Sequence, residues 1–281
     1  MDDRLRPFWD FDDLDTTETR LRAQLDAEDS DDGRAEVLTQ IARVEGLRGA
    51  FDRADALADE AEALATSGVA RARLALERGR IRRSSGDRDA ARPLFQSAYD
   101  EALAAEQYFM AADAAHMVAL VALDRDDFVE WTNRGIELAE AHDAASHWLG
   151  PLLNNLGWEY YEAGELELAL DAFERALAAR EREPEKRGPI EIARYSVGKT
   201  LRALGRSAEA IPLLEQAVAW AESTGSPDGW FHEELAEEYA AVERVDEARE
   251  QARLAIALLE RDDPAFAERR ERLDSLGCGG T

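Results

Sequence analysis

Small and large apolar residues recur along this chain at fixed intervals, separated by polar positions. The stretch LLNNLGWEYYEAGELELALDAFERAL, residues 152–177, places Leu156 beside Gly157 and then Tyr160, Gly164, Ala169, Phe173 and Ala176 at steps of three to five residues. Spacings of three and four put side chains on one face of a helix. Gly164 marks the end of a first helix, because a left-handed cap is sterically cheap at glycine. The pattern predicts two antiparallel helices, with small residues where the backbones cross. Leu156, Tyr160 and Phe173 fill the space between them.

The same template recurs, a small residue, an aromatic three later, Gly seven later and Ala twelve later, with other residues sometimes at the aromatic position. It returns as Gly198, Leu201, Gly205 and Ala210, and as Gly79, Arg82, Gly86 and Ala91. Ala42, Gly49 and Ala54 give a further copy, as do Ala236, Tyr239 and Ala248. A weaker copy contains His116, Phe128, Thr132 and Gly135. The key small position falls at 42, 79, 116, 157, 198 and 236. Asp87, Asp89 and Glu165 follow the breaks and suit the positive end of a second helix. A single helix pair cannot bury both apolar faces, so the pairs are expected to stack into a solenoid. At the ends, DTTETRLRAQLDA reads as a helix capped by Asp15, AEDSDDG (27–33) as a loop, and DPAFAERRERLDSL as a closing helix starting at Pro264.

The pattern resembles the tetratricopeptide repeat, whose signature reads W-x2-L-G-x2-Y, then A-x3-F, then a late Pro. The resemblance covers roughly 35–262 and is best at 150–184. The late Pro appears only as Pro184, and the third copy keeps few signature residues. The resemblance implies an all-α, right-handed superhelical solenoid of antiparallel helix pairs. The expected organisation is an N-terminal segment and capping helix (1–34), six repeats (35–262), a C-terminal capping helix (263–276) and a flexible tail (277–281).

Charge narrows the partners. A net charge of -27 argues against general binding to nucleic acid or anionic membrane, which select basic surfaces. No apolar run approaches the roughly 20 residues of a membrane span. The start, MDDRLRPFWDFDD, has neither a positive region nor an apolar one and does not read as a secretory signal. Cys278 is the single cysteine, so no intramolecular disulfide can form. A cytoplasmic protein is expected.

Several catalytic motifs are approached and missed. VGKT (197–200) needs a Gly five residues before Gly198 and has Ala193. HEELA places Ala236 where a zinc-protease helix needs its second His. EDSDDG places Thr39 where a calcium loop needs its Glu. No nucleophile–base–orienter set is legible, so no enzyme activity, cofactor or metal is expected.

Binding is therefore the expected business of the chain. In the family the first helix of each repeat lines a concave groove, which the resemblance maps onto Arg43, Arg80, Arg83, Asn154, Trp158, Tyr161, Tyr195, Lys199, Arg202 and Trp230 as ligand-binding candidates. The helix RARLALERGRIRR carries Arg71, Arg73, Arg78, Arg80, Arg82 and Arg83 against one acid, Glu77. These arginines either pair with neighbouring carboxylates or form an anion-binding wall. The aromatic residues either pack between repeats or anchor a ligand. Asn154 offers an amide that both donates and accepts, suited to a peptide backbone. His116 reads as a core histidine, with a ligand contact or pH-sensitive hinge as the alternative. PFWDF (7–11) either seals the first helix pair or occupies the groove until displaced.

The expected function is a non-catalytic protein- or peptide-binding module whose groove takes a negatively charged segment. The rival is a sensor of a small anionic molecule, with its pocket at Asn154, Trp158, Tyr195 and Lys199. On either reading, reversing Arg80 and Arg83 to Glu is expected to abolish binding and spare the fold. Oligomeric state is not legible.

Overall fold

The computed structural model describes residues 3–262 and 266–278, and among them there is helix and no strand. After a 3-10 turn at Arg6–Phe8 come α1 (Leu14–Ala27), α2 (Asp31–Leu47), α3 (Phe51–Leu64), α4 (Gly68–Ser84), α5 (Arg88–Ala104), α6 (Tyr108–Ala119) and α7 (Arg125–Ala141). A second 3-10 segment, Asp143–Trp148, leads to α8 (Leu149–Glu162) and α9 (Leu166–Arg180). The chain continues as α10 (Arg187–Ala203), α11 (Ser207–Ser223), α12 (Gly229–Ala241), α13 (Val245–Asp262) and α14 (Phe266–Cys278). Two compact units form, Met1–Leu152 and Leu153–Thr281.

Close packing explains the recurring intervals. A Cβ added at Gly79 would lie 2.4 Å from the Phe95 ring, and one at Gly157 would lie 2.5 Å from Phe173. At Gly198 the obstacle is Leu214, 2.8 Å away. Each pair joins the first helix of a repeat to the second, sixteen residues on. Where the first member is Ala42 or Ala236, the later one is Ala58 or Ala252, and both members are buried in one apolar cluster. Summed size across the crossing is thus held within limits, as dense packing requires.

The breaks follow the glycines. Gly49, Gly86, Gly164 and Gly205 have φ between 72° and 94°. At the corresponding place in the last repeat the chain puts Glu243, and the backbone still turns left-handed there with φ 61°. The third repeat lacks both the glycine and that turn, and its first helix, α6, stops at Ala119. Asp87 caps α5 by accepting from the Ala90 N–H at 3.0 Å.

Two local expectations are corrected. Asp13, not Asp15, caps α1, accepting from the Thr16 N–H at 2.9 Å. Asp15 instead pairs with Arg48. The loop expected over 27–33 is shorter, because Ser30 accepts from the Gly33 N–H and starts α2 at Asp31. Pro264, the expected start of the closing helix, lies outside the described residues, as do 279–281 of the expected tail.

The N-terminal segment closes the first helix pair. Leu5 is fully buried with Leu21, Val37, Ile41 and Val44, and Phe8 and Trp9 pack on this cluster. Thr17 fixes the far end, accepting from the Asp10 N–H and donating to the Asp10 carbonyl, both at 2.8 Å.

Candidate functional site

In the first unit, α2, α4 and α6 turn one face toward the N-terminal segment and the 3-10 segment Asp143–Trp148. Of the six arginines on α4, five are held by carboxylates. Arg71 binds Glu101, Arg78 binds Asp59 and Glu62, and Arg82 binds Asp55. Arg73 is buried between Asp3 (2.7 Å) and Glu36 (3.2 Å). Arg80 donates to both oxygens of Asp113, at 2.5 and 2.7 Å, and to Glu77 at 2.6 Å. Burial works against the Arg80 charge, but Asp113 and Glu77 outweigh it and hold its pKa above the ordinary value. The reversal expected to be harmless at Arg80 is therefore not so. A Glu there would face Glu77 and Asp113 in a buried setting.

Arg83 differs. It is exposed and makes no hydrogen bond or ion pair among the described residues. Arg43 is intermediate: its nearest carboxylate is Glu77 at 3.6 Å, beyond hydrogen-bonding distance. Its guanidinium lies 5.0 Å from the Trp9 ring and 5.5 Å from the Phe11 ring, which stack on each other. Burial, and then the Arg80 charge, push the Arg43 pKa down.

These three arginines line one cavity of about 260 Å³ together with Gly46, Leu47, Ile81, Ser84, Asp113, His116, Met117 and Trp148. Counting Glu77, which stands behind the wall on Arg80 and 3.6 Å from Arg43, two carboxylates answer the three guanidiniums of the cavity, which leaves one positive charge. Burial pushes the His116 imidazole down, Asp113 draws it up, and Arg80 and Arg83 push it further down. It is therefore a neutral ring at neutral pH, tilted against Trp148 at 5.3 Å. A second cavity of about 200 Å³ shares Arg43, Arg80, Asp113 and Trp148 with the first and adds Trp9, Phe11 and Gln40. Gln40 accepts from the Trp9 indole N–H at 2.9 Å and donates to Glu77 at 3.1 Å.

The remaining candidates belong to the second unit, where the cations are neutralised. Lys199 pairs with Glu234, and Arg202 binds Glu234 at 2.7 Å and Glu237 at 2.8 Å. Trp158 packs edge-on against Tyr161 and Phe173, with centroids 5.5 and 5.1 Å away. Tyr195 lies against Phe231 at 5.0 Å. Burial and then Glu234 push both the Tyr161 and Tyr195 phenols up, so they stay neutral. Trp230 is exposed and carries the Arg269 guanidinium 4.0 Å from its ring centroid. The Asn154 side-chain oxygen is buried with no donor among the described residues.

Arg43, Arg80 and Arg83 thus come together, and Tyr195, Lys199 and Arg202 lie along α10. The small-molecule pocket expected at Asn154, Trp158, Tyr195 and Lys199 is not the cavity found at the arginines. Sequence reasoning missed Trp148, Leu47 and Gln40 as site-forming residues. Trp148 stands in a 3-10 segment outside the repeat template, so no periodicity marks it. Leu47 had a signal, since it lies on the groove-facing positions of its repeat. Among the described residues no helix is long and apolar enough to cross a membrane.

The tetratricopeptide repeat family model matches residues 150–182 and 193–224. No curated protein matches the chain by sequence. Among solved structures, the apo form of RapI is similar at 13% identity with a TM-score of 0.74, over 93% of this chain and 76% of that one. The Signal Transduction ATPase with Numerous Domains protein PH0952 from Pyrococcus horikoshii, which has a tetratricopeptide repeat sensor, is similar at 15% identity and a TM-score of 0.73. That match covers 95% of this chain and 41% of the larger one. The apo quorum sensor NprR from B. thuringiensis is similar at 13% identity and a TM-score of 0.55, over 94% and 83% of the two chains. At such identities the likeness is one of fold. Two stretches of the chain are thus matched in sequence to the tetratricopeptide repeat, and the described helices share the fold of these solved structures.

Proposed function

We propose that the chain is a non-catalytic binding module whose first unit receives a negatively charged segment of a protein or peptide. One observation carries the reading. In a chain of net charge -27, where five of six α4 arginines are paired, Arg83 stands unpaired beside a loosely paired Arg43 at a cavity. Exposed Phe11 and Leu47, at 61% and 52%, supply apolar contacts beside those charges. Guanidinium groups grip carboxylates bidentately, and a basic spot in an acidic shell steers an anionic partner inward.

The test is titration with acidic and basic synthetic peptides of equal length, each carrying one aromatic residue. Acidic peptides should bind, weaken as salt is raised, and lose affinity in Arg83→Glu. Equal binding of basic peptides, or indifference to salt and to Arg83→Glu, would overturn the reading. A second reading, sensing of a small anionic molecule, is favoured by the cavity itself. NprR and the PH0952 repeats are sensors built on this fold.

A further inference from the structure

We infer that the cavity between α2, α4, α6 and Trp148 is a subsite for a single carboxylate carried on a compact apolar body. The inference rests on the proposed binding face and names the chemical group that this part of it takes.

Charge sets the first limit. Arg80 is consumed by Asp113 and Glu77, which leaves Arg43 and Arg83 with donors to offer. The single positive charge left over matches a monoanion. A dianion such as phosphate would bring its second charge close to Asp113 and Glu77, which no further cation offsets.

The walls set the second limit. Leu47, Ile81, Met117 and the Trp148 ring make one side of the cavity apolar, and neutral His116 extends it. A fully hydrated anion gains nothing from such a wall, whereas an aromatic or branched aliphatic group does. Size sets the third. At about 260 Å³ the space falls just below the range of roughly 300–1,000 Å³ that holds drug-sized ligands, so the body is no larger than one amino-acid side chain. A small organic acid and the last residue of a peptide share this chemistry.

The test uses the full chain and calorimetric titration with phenylacetate, N-acetylphenylalanine, N-acetylphenylalaninamide and inorganic phosphate. Both carboxylates should bind, and the amide and phosphate should bind at least about tenfold more weakly. Arg83→Gln and Leu47→Glu alter exposed side chains, so the fold survives, and each should weaken the carboxylates by about tenfold or more. Binding of phenylacetate alone assigns the subsite to a free organic acid. Binding of N-acetylphenylalanine alone assigns it to a chain terminus. Equal binding of amide or phosphate, no binding of either carboxylate, or indifference to both substitutions overturns the inference. If acidic peptides still bind in that case, and respond to Arg83→Glu, the subsite alone has failed. If the carboxylates bind and no acidic peptide does, the broader reading has failed and the subsite stands.

Discussion

The arginine face of the first unit and the α10–α12 face of the second use the same helix-pair scaffold and reach opposite electrostatic outcomes. On the first, buried Glu77 and Asp113 meet Arg80, with Arg43 farther off, and Arg83 is left over. On the second, Lys199 and Arg202 of α10 meet Glu233, Glu234, Glu237 and Glu238 of α12, and Arg269 and Arg272 of α14 supply the balance. Carboxylates there are in excess at the α10–α12 contact itself. Burial pushes the Glu233, Glu237 and Glu238 carboxyls up, more than the nearby cations draw them down. Repeat architecture fixes where a side chain stands. Whether its charge is spent depends on the neighbouring repeat.

The sharpest way to break this contrast is charge reversal at two neighbouring positions of α4. Arg80 is 13% exposed and ion-paired on two sides, so Arg80→Glu should destabilise the chain by roughly 3–5 kcal/mol. Arg83 has no such partners, and Arg83→Glu should stay within about 0.5 kcal/mol of the parent. Guanidinium denaturation of the two variants measures the difference. Equal effects would mean that the spent and unspent arginines are not distinct.

That pair of residues also shows how much of the molecule was legible in the sequence. The helix pairs were legible because their packing partners lie sixteen residues apart, at a distance the template itself specifies. Gly79 with Phe95 and Gly157 with Phe173 are partners that the spacing alone identifies. Three arginines of the cavity were legible as residues facing a common groove. Their pairing was not, because apart from Glu77 the deciding carboxylates come from distant parts of the chain. Asp113 lies 33 positions from Arg80, Asp3 lies 70 from Arg73, and Glu234 lies 35 from Lys199. Helical period says which face a charge occupies and is silent about what stands opposite.

If the two units share a scaffold, they should answer alike to changes in packing. Gly79→Ala and Gly157→Ala each drive a Cβ to within about 2.5 Å of a phenylalanine ring that is fully buried. Alanine is the better helix former by about 1 kcal/mol, yet overpacking of this kind costs typically about 1–3 kcal/mol. Both variants should therefore lose stability, and by similar amounts. Adding Phe173→Ala to Gly157→Ala recreates the Ala–Ala crossing found at Ala42 and Ala58. The double variant should be more stable than the sum of its single changes predicts. Additive losses would show that size across the crossing is not shared between the two positions.

The smallest effect expected belongs to Glu238 of the second unit and separates its excess of carboxylate from simple crowding. Glu238 is fully buried. Burial is the main cause that pushes its carboxyl above its ordinary 4.5; Ser207 and then Arg202 pull against it, and Glu234 adds to the push. A carboxyl raised by folding holds its proton more tightly in the folded state than in the unfolded one. Its contribution is most favourable below pH 4.5 and is lost as pH rises through the folded value. Glu238→Gln keeps the shape and removes the charge. It should stabilise the chain at neutral pH, and the gain should vanish as the pH falls below the ordinary carboxylate range. Denaturation of parent and variant across this range measures the gain as a difference, in which the self-repulsion of a chain of net charge -27 largely cancels. A variant less stable than the parent at every pH would mean that the Glu238 carboxylate is satisfied as an ion, and that the second unit holds no excess of carboxylate at this contact.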